Sequence, residues 1–283
     1  MTMVFDALKL ALSSIWQHKI RALLTVLGIV IGVSSVVMFM AVGEGLQRDV
    51  NNEITTLGTN LVTVIPGQFD PESGAISTSI VSGDILKPVD VERLDALEGV
   101  RAVSPYMLVG GVLRRDRTTA PQAMILGSNA AITTTMSSIE VEKGRMFTEA
   151  ENAEQARLIV LGPAIAKTLF DSESAVGQTV QIGKEDFEIV GVTKVPDSAS
   201  IIGGSDYANM AIIPIQTAGE IAGGAKIMRL VLTLEESIDA KAYVPTLEAE
   251  LLKEHAPEDF TVMTQDELLG TVNDVLSMLT AAV

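Results

Sequence analysis

Between Ala22 and Val42 the chain reads ALLTVLGIVIGVSSVVMFMAV, 21 residues without a single charge. At about 1.5 Å per residue, a helix of that length spans a bilayer core of about 30 Å. A buried helix of a soluble domain or the h-region of a signal peptide would be shorter. Ala41-Val42-Gly43 resembles a signal peptidase site, but the run is too long and its leader too extended for a cleaved signal. The expectation is an uncleaved anchor.

Flanking charge sets the direction of that anchor. His18, Lys19 and Arg21 stand immediately before it, and Glu44 is the first charge after it. Lys19 and Arg21 act as the positive-inside anchor, which puts everything after Val42 outside the cytoplasm. Before the span, Phe5, Leu8, Ala11, Leu12 and Ile15 recur at helical spacing, with Trp16 close to the interface. That pattern predicts an amphipathic helix on the inner face, or alternatively a plain extension of the span. Inside the span, Gly28 and Gly32 form G-x-x-x-G, which lets a neighbouring helix backbone approach closely.

Past the membrane, Leu46, Val50, Ile54 and Leu57 form one apolar stripe that ends at Gly58, a candidate C′ glycine. A continuous helix from Ala22 to Leu57 would be about 50 Å long and would act as a stalk. The alternative is a short separate helix packed on the domain.

The whole chain of 283 residues carries a formal charge of −16, while its first 21 residues carry +2, so the remainder sums to −18. Such acidity excludes nucleic acid as a partner, because phosphate binding needs clustered Lys and Arg. There is no cysteine, which removes disulfides, thiolate metal sites and thiol catalysis. Mean hydropathy is +0.36 and hydrophobic residues make up 47%, enough for a sizeable core.

The remaining sequence alternates strands and helices. Asn60–Pro66 reads as a strand, and Gln68–Lys87 as a loop. Val91–Leu97 reads as a helix with Asp90 as N-cap. Val100–Tyr106 and Leu108–Arg114 read as two strands or one long bent one. A strand is expected at Ala123–Leu126 and a polar helix or turn at Ala130–Ser137. Arg157–Leu161 reads as a strand, and Pro163–Phe170 as a helix. Thr179–Ile182 and Phe187–Val192 form a hairpin about Lys184-Glu185-Asp186, with another strand at Met210–Ile213. Ile227–Leu234, Ala240–His255 and Phe260–Met263 repeat strand, helix, strand. The first and last β-α-β units can close a ferredoxin-like α+β sheet around an inserted, mainly-β subdomain. Thr264-x-x-Glu267 is a capping box before the apolar run Leu268–Val283, whose end resembles the start of a second membrane helix, the alternative being a free amphipathic C-terminal helix.

The division is therefore a cytoplasmic amphipathic helix at 1–21, a membrane helix at 22–42 and a stalk at 43–58. A first subdomain occupies 59–118 and 219–263, a second is inserted at 119–218, and a second stalk helix begins at 264.

No catalytic motif stands out. His18 and His255 are the only histidines and fall on opposite proposed sides of the membrane, so no triad or zinc site is expected. Gly203-Gly204-Ser205-Asp206-Tyr207 lacks the second glycine of a nucleophile elbow. Gly177 and Gly183-Lys184 are one residue too far apart for a P-loop, with Glu185 where Ser or Thr is needed. The chain does not read as an enzyme.

The collinear series WQHKIRALLTVLGIVIGVSSVVMFMAVGEGL, ITTLGTNLVTVIPG, VRAVSP, ILGSN, KGRMFTEAE, LIVLGPAIAKTLF, VGQTVQIGKEDFEIVGV and ANMAIIPIQTA resembles the MacB/FtsX superfamily of ABC transporter permeases. The match runs from about residue 5 to 265, and is specific in order and spacing rather than in any single motif. The resemblance implies a periplasmic domain of two subdomains on an inner-membrane permease with four membrane helices. It implies mechanotransmission: ATP hydrolysis by a cytoplasmic ATPase moves the periplasmic domain through the stalk. ATP and Mg would be bound by that partner and no cofactor by this chain. Because the first membrane helix begins almost at Met1, the ATPase is expected on a separate chain. Implied partners are the ATPase, a second permease copy or paralogue forming a dimer, and the lipid bilayer, with a periplasmic adaptor as a further candidate. The alternative is a signal-anchored binding or scaffold protein without an ATPase.

Overall fold

A computed structural model describes residues 18–57, 60–70, 75–76, 85–136, 139–171, 174–194, 207–268 and 270. Two compact units result, one comprising Met1–Arg48 with Asp274–Val283, the other Asp49–Asn273. The amphipathic helix expected before residue 18 and the apolar run after Leu268 lie outside the described residues.

Helix α1 runs without a break over Lys19–Leu57, 39 residues. No proline interrupts it, and the hydroxyls of Thr25 and Ser35 donate to the carbonyls of Arg21 and Ile31, four residues back, at 2.8 Å. Those bonds satisfy hydroxyls that would otherwise be unpaired on an apolar surface.

In the second unit, β1 (Leu61–Pro66) is followed by a ribbon of β2 (Phe69–Asp70) and β3 (Ala75–Ile76), in a stretch the sequence predicts to be loop. Helix α2 (Pro88–Asp95) begins earlier than its apolar pattern suggests, because Pro88 supplies a helical φ at the first position. Asp90 is therefore not the N-cap. It sits in the first turn, where its carboxylate accepts the Lys87 N–H at 2.7 Å.

Strand β4 (Val100–Val109) is one strand of ten residues, and the short β5 (Leu113–Arg115) is separate. Later come β13 (Arg229–Leu234), α7 (Ala240–Leu251) and β14 (Phe260–Thr264). The strands pair in the order β14-β1-β13-β4, every neighbour antiparallel. Each β-α-β unit therefore straddles a strand of the other, which is the ferredoxin-like arrangement. Val62 and Val64 point to the face covered by α2 and α7, where Leu94, Leu247 and Leu251 are buried with Leu230, Leu232 and Val262.

Between β4 and β13 the chain builds a second half. Its elements in order are β6 (Thr118–Ala120), β7 (Met124–Ser128), α3 (Ile132–Thr135), β8 (Val141–Gly144), α4 (Glu149–Ala153) and β9 (Leu158–Leu161). They continue with α5 (Pro163–Phe170), β10 (Thr179–Ile182), β11 (Glu185–Thr193), β12 (Met210–Pro214) and α6 (Ile215–Ala222). The sheet is mixed, in the order β4-β7-β12-β9-β11-β10-β5-β6, with β8 also against β11. The β10–β11 turn is tighter than the sequence suggests: Ile182 opposes Glu185, and Gly183 takes φ +64°. Glycine reaches that angle without steric cost.

The two halves share one strand. Val100–Tyr106 of β4 pairs with β13, and Met107–Val109 pairs with β7. The described structure is thus one N-terminal apolar helix and a mixed α/β domain.

Candidate functional site: membrane segment and domain seam

From Lys19 to Gly43, α1 has a mean hydropathy of 2.5 and none of its span is buried. It is the one described helix long and apolar enough to cross a membrane. The large side chains of Leu24, Ile29, Val33, Val37, Phe39 and Val42 are each at least 55% exposed. Exposure on that scale around a whole helix is what a lipid-facing or helix-facing segment presents, not the stripe of a surface helix. A Cβ added at Gly28 or Gly32 would meet nothing within 4 Å, so this face is open among the described residues. Lys19 and Arg21 are exposed at the start of α1, and neither meets a carboxylate among the described residues. Leu46, Val50, Ile54 and Leu57 all lie within α1, but their side chains are outside the described ones.

In the domain, the junction of the two halves is a polar seam. Tyr106 directs its carbonyl to the β13 side, where it accepts the Met228 N–H at 2.7 Å. Strand geometry then turns Val103 and Pro105 the other way, beyond the point where β7 stops pairing. Proline tolerates this position because its absent N–H faces no partner strand. The carbonyls are taken up by side chains that follow β7: Ser128 Oγ donates to Pro105 O and Asn129 Nδ2 to Val103 O, both at 2.8 Å. Asn129 Oδ1 in turn accepts from the fully buried Ser104 hydroxyl at 3.0 Å. The Ser and Asn of ILGSN thus continue the ladder with side chains after the backbone has turned away. Sequence reasoning quotes this motif without seeing its role, although a polar pair closing an apolar strand is a visible signal.

His255 also finds a partner that the sequence did not reveal. Helix α7 ends at Leu251, four residues short of expectation, and the following turns carry His255 back, its N–H donating to Leu251 O at 3.0 Å. Its Nε2 lies 3.0 Å from Asp90 Oδ2, with both side chains almost fully buried. Asp90 therefore ties the first turn of α2 to the end of α7. A two-member pair holding two helices has no nucleophile, and among the described residues no group of three or more His, Cys, Asp or Glu could hold a metal. Gly203–Asp206 lie outside the described residues.

Three arginines link elements at the surface. Arg145 grips Glu151 through both guanidinium nitrogens at 2.6 and 2.7 Å, while Glu151 Oε2 accepts the Thr148 N–H to complete a capping box on α4. The Arg145 hydrogen bonds, with that of Thr148, hold the Glu151 carboxyl down to about 2. Arg157 makes the same fork to Glu220 on α6 and reaches Glu185 on β11, and it lowers the Glu220 carboxyl. Arg93 pairs with Glu254 at 2.8 Å beside the Asp90–His255 contact and lowers the Glu254 carboxyl. The capping box at Thr264 is present, with Thr264 N–H to Glu267 at 2.9 Å and Glu267 N–H to Thr264 Oγ1 at 3.3 Å.

One exposed helix of membrane-spanning length and a mixed α/β domain, ferredoxin-like in one half with a second half carried within it, define the class. The chain belongs to the MacB-like periplasmic core domain family, whose sequence model matches residues 22–250. It is similar to the macrolide export ATP-binding/permease protein MacB of Marinobacter nauticus, 30% identical over 279 residues, covering 97% of this chain and 42% of that protein. The protein of the same description from Rhodospirillum rubrum is 30% identical over 277 residues, with 97% and 41% covered. The chain thus spans about two fifths of the length of these relatives. In fold it is similar to the periplasmic region of MacB from Actinobacillus actinomycetemcomitans, with TM-score 0.64, 22% identity, and 80% of this chain and 98% of that one covered. The extracellular domain of the noncanonic ABC-type transporter YknZ from Gram-positive bacteria gives TM-score 0.55 at 16% identity, covering 72% and 100%.

Proposed function

We propose that this chain is the anchored periplasmic portion of a MacB-type ABC transporter permease, resident in the inner membrane. In this reading ATP hydrolysis on a separate cytoplasmic ATPase chain moves the periplasmic domain, driving export of a substrate. ATP and Mg belong to that ATPase and the present chain holds neither. The observation that carries the reading is the uninterrupted α1, whose apolar part continues into Arg48–Leu57 without a proline or a turn. A helix is stiff along its axis, so displacement at one end reaches the other, as loops between separate helices would not allow.

Family membership supports the permease assignment, and the two relatives named above are ATP-binding/permease proteins. The open face at Gly28 and Gly32 suits close approach of another membrane helix, from the same permease or from a second copy in a dimer. A periplasmic adaptor would contact the domain. Asn51→Pro in the full-length protein tests the lever: it breaks the backbone ladder of α1 at a cost of about 3 kcal/mol in a helix interior. Transport should be lost while membrane insertion and ATPase association persist. Unchanged transport would refute the reading.

A further inference from the structure

At its first turn α1 carries an open surface recess bordered by His18, Lys19, Ile20, Arg21, Leu24 and Thr25, on a segment none of whose span is buried. Three of the six are bases, and in sequence only Asp6 precedes Glu44 as an acid. Neither Lys19 nor Arg21 is paired with a carboxylate among the described residues, unlike Arg93, Arg145 and Arg157, each of which is committed to a glutamate. The Thr25 hydroxyl is already bound to the Arg21 carbonyl at 2.8 Å, so the unspent polar capacity of the recess is cationic.

The apolar side of the same recess continues along the helix. Ile20, Leu24, Leu27 and Ile31 recur at helical spacing and are 70%, 62%, 50% and 57% exposed. From Ile20 to Ile31 is about 16 Å of helix, close to the depth of one leaflet, about half of the 30 Å hydrocarbon core. A cationic head above an apolar stripe one leaflet deep has the dimensions and charge order of one phospholipid.

From this we propose that the open His18–Thr25 face of α1 is a binding site for an anionic phospholipid, its phosphate held by Lys19 and Arg21 and its acyl chain along Ile20, Leu24, Leu27 and Ile31. The inference rests on α1 crossing a bilayer, and not on any coupling to ATP hydrolysis. It goes further than retention of positive charge on one side, because it requires a headgroup preference at these residues. Basic residues at an anionic surface each contribute on the order of a five-fold preference, so removing both should weaken selectivity at least about ten-fold.

The test uses the whole chain in vesicles of phosphatidylcholine containing either spin-labelled phosphatidylglycerol or spin-labelled phosphatidylcholine. The motionally restricted label fraction is read for the wild type, for K19Q/R21Q, and for the charge-preserving K19R/R21K. Protease protection confirms that each is inserted with the same orientation, and any inverted variant is replaced by the single changes K19Q and R21Q. The wild type and K19R/R21K should select the anionic lipid, and K19Q/R21Q should not, with millimolar inorganic phosphate leaving the restricted fraction unchanged. Equal restriction of both lipids by the wild type overturns the proposal, as does full selectivity in K19Q/R21Q. Displacement by inorganic phosphate would show a free-phosphate site and overturn the lipid assignment. Transport defects from Asn51→Pro are read separately, so failure of either account leaves the other distinguishable.

Discussion

Replacing Asn129 with Ala removes the side chain that continues the ladder beyond β7. It strands the Val103 carbonyl, whose residue is 1% exposed, and unpairs the Ser104 hydroxyl, at 0%. A buried polar group left unpaired costs about 1–3 kcal/mol, so two could cost about 2–6 kcal/mol. Relief is available from solvent: Asn129 is only partly buried and borders a cavity of about 70 Å³, room enough for a water to reach the freed groups. The net cost should therefore settle near the low end, about 2 kcal/mol. For a domain of this size that lowers the melting temperature by roughly 4–8 °C. Asn129→Asp sharpens the test. It keeps the acceptor for Ser104 but sets a carboxylate oxygen against the Val103 carbonyl, so it should be more damaging than Ala near neutral pH. Thermal unfolding of the full chain in detergent, followed by circular dichroism, measures both. An N129A shift within about 1 °C, or N129D milder than N129A, would refute the seam argument.

Other positions give independent checks. A Cβ at Gly127 would lie 2.4 Å from that of Ala218, so Gly127→Ala should cost about 1–3 kcal/mol and Ala218→Gly should restore part of it in the double variant. His255→Ala leaves the Asp90 carboxylate buried without its imidazole and should destabilise by about 3 kcal/mol, with Asp90→Asn in the same chain recovering some of the loss; denaturant midpoints decide. The Glu151 carboxyl is held at about 2, below its ordinary value of 4.5, so its contribution is present above pH 4.5 and is lost as pH falls toward 2. Glu151→Gln should therefore lower stability at pH 7, with the gap to wild type closing in strong acid. A gap that stays constant with pH would show the ion pair to be irrelevant.

How much was legible depends on the range of the signal. The helix Pro163–Phe170 and the strands at Leu61–Pro66 and Phe260–Thr264 follow from local periodicity and appear within a residue of expectation, and the apolar run at 22–42 lies inside the longer helix Lys19–Leu57. The ferredoxin-like pairing was inferred from the repetition of β-α-β, which the 14-1-13-4 strand order bears out. Asp90 is not the N-cap because Pro88 starts α2 three positions before the expected Val91. Its true partner, His255, is 165 residues away, beyond any local rule. The double membership of β4 was equally hidden: the sequence shows an apolar stretch broken by Pro105, and only the pairing reveals that Pro105 marks the approach to the exchange of partners. Surface forks such as Arg157 to Glu220, 63 residues apart, leave no trace in spacing. Gly28, Gly32, Lys19 and Arg21 stand out in the sequence because a long apolar run constrains composition directly, and their roles belong to the proposal, whereas the domain seam had to be seen.

The central claim is that the domain moves when a cytoplasmic partner hydrolyses ATP. The most direct measurement is a pair of spin labels at Lys184 and its counterpart in the second permease copy of the purified full-length transporter, read by pulsed dipolar spectroscopy. Under ATP turnover the distance distribution should shift, and with Asn51→Pro the shift should vanish although ATP is still hydrolysed. A distribution unchanged by ATP in the wild type, or an equal shift in the proline variant, would contradict the account.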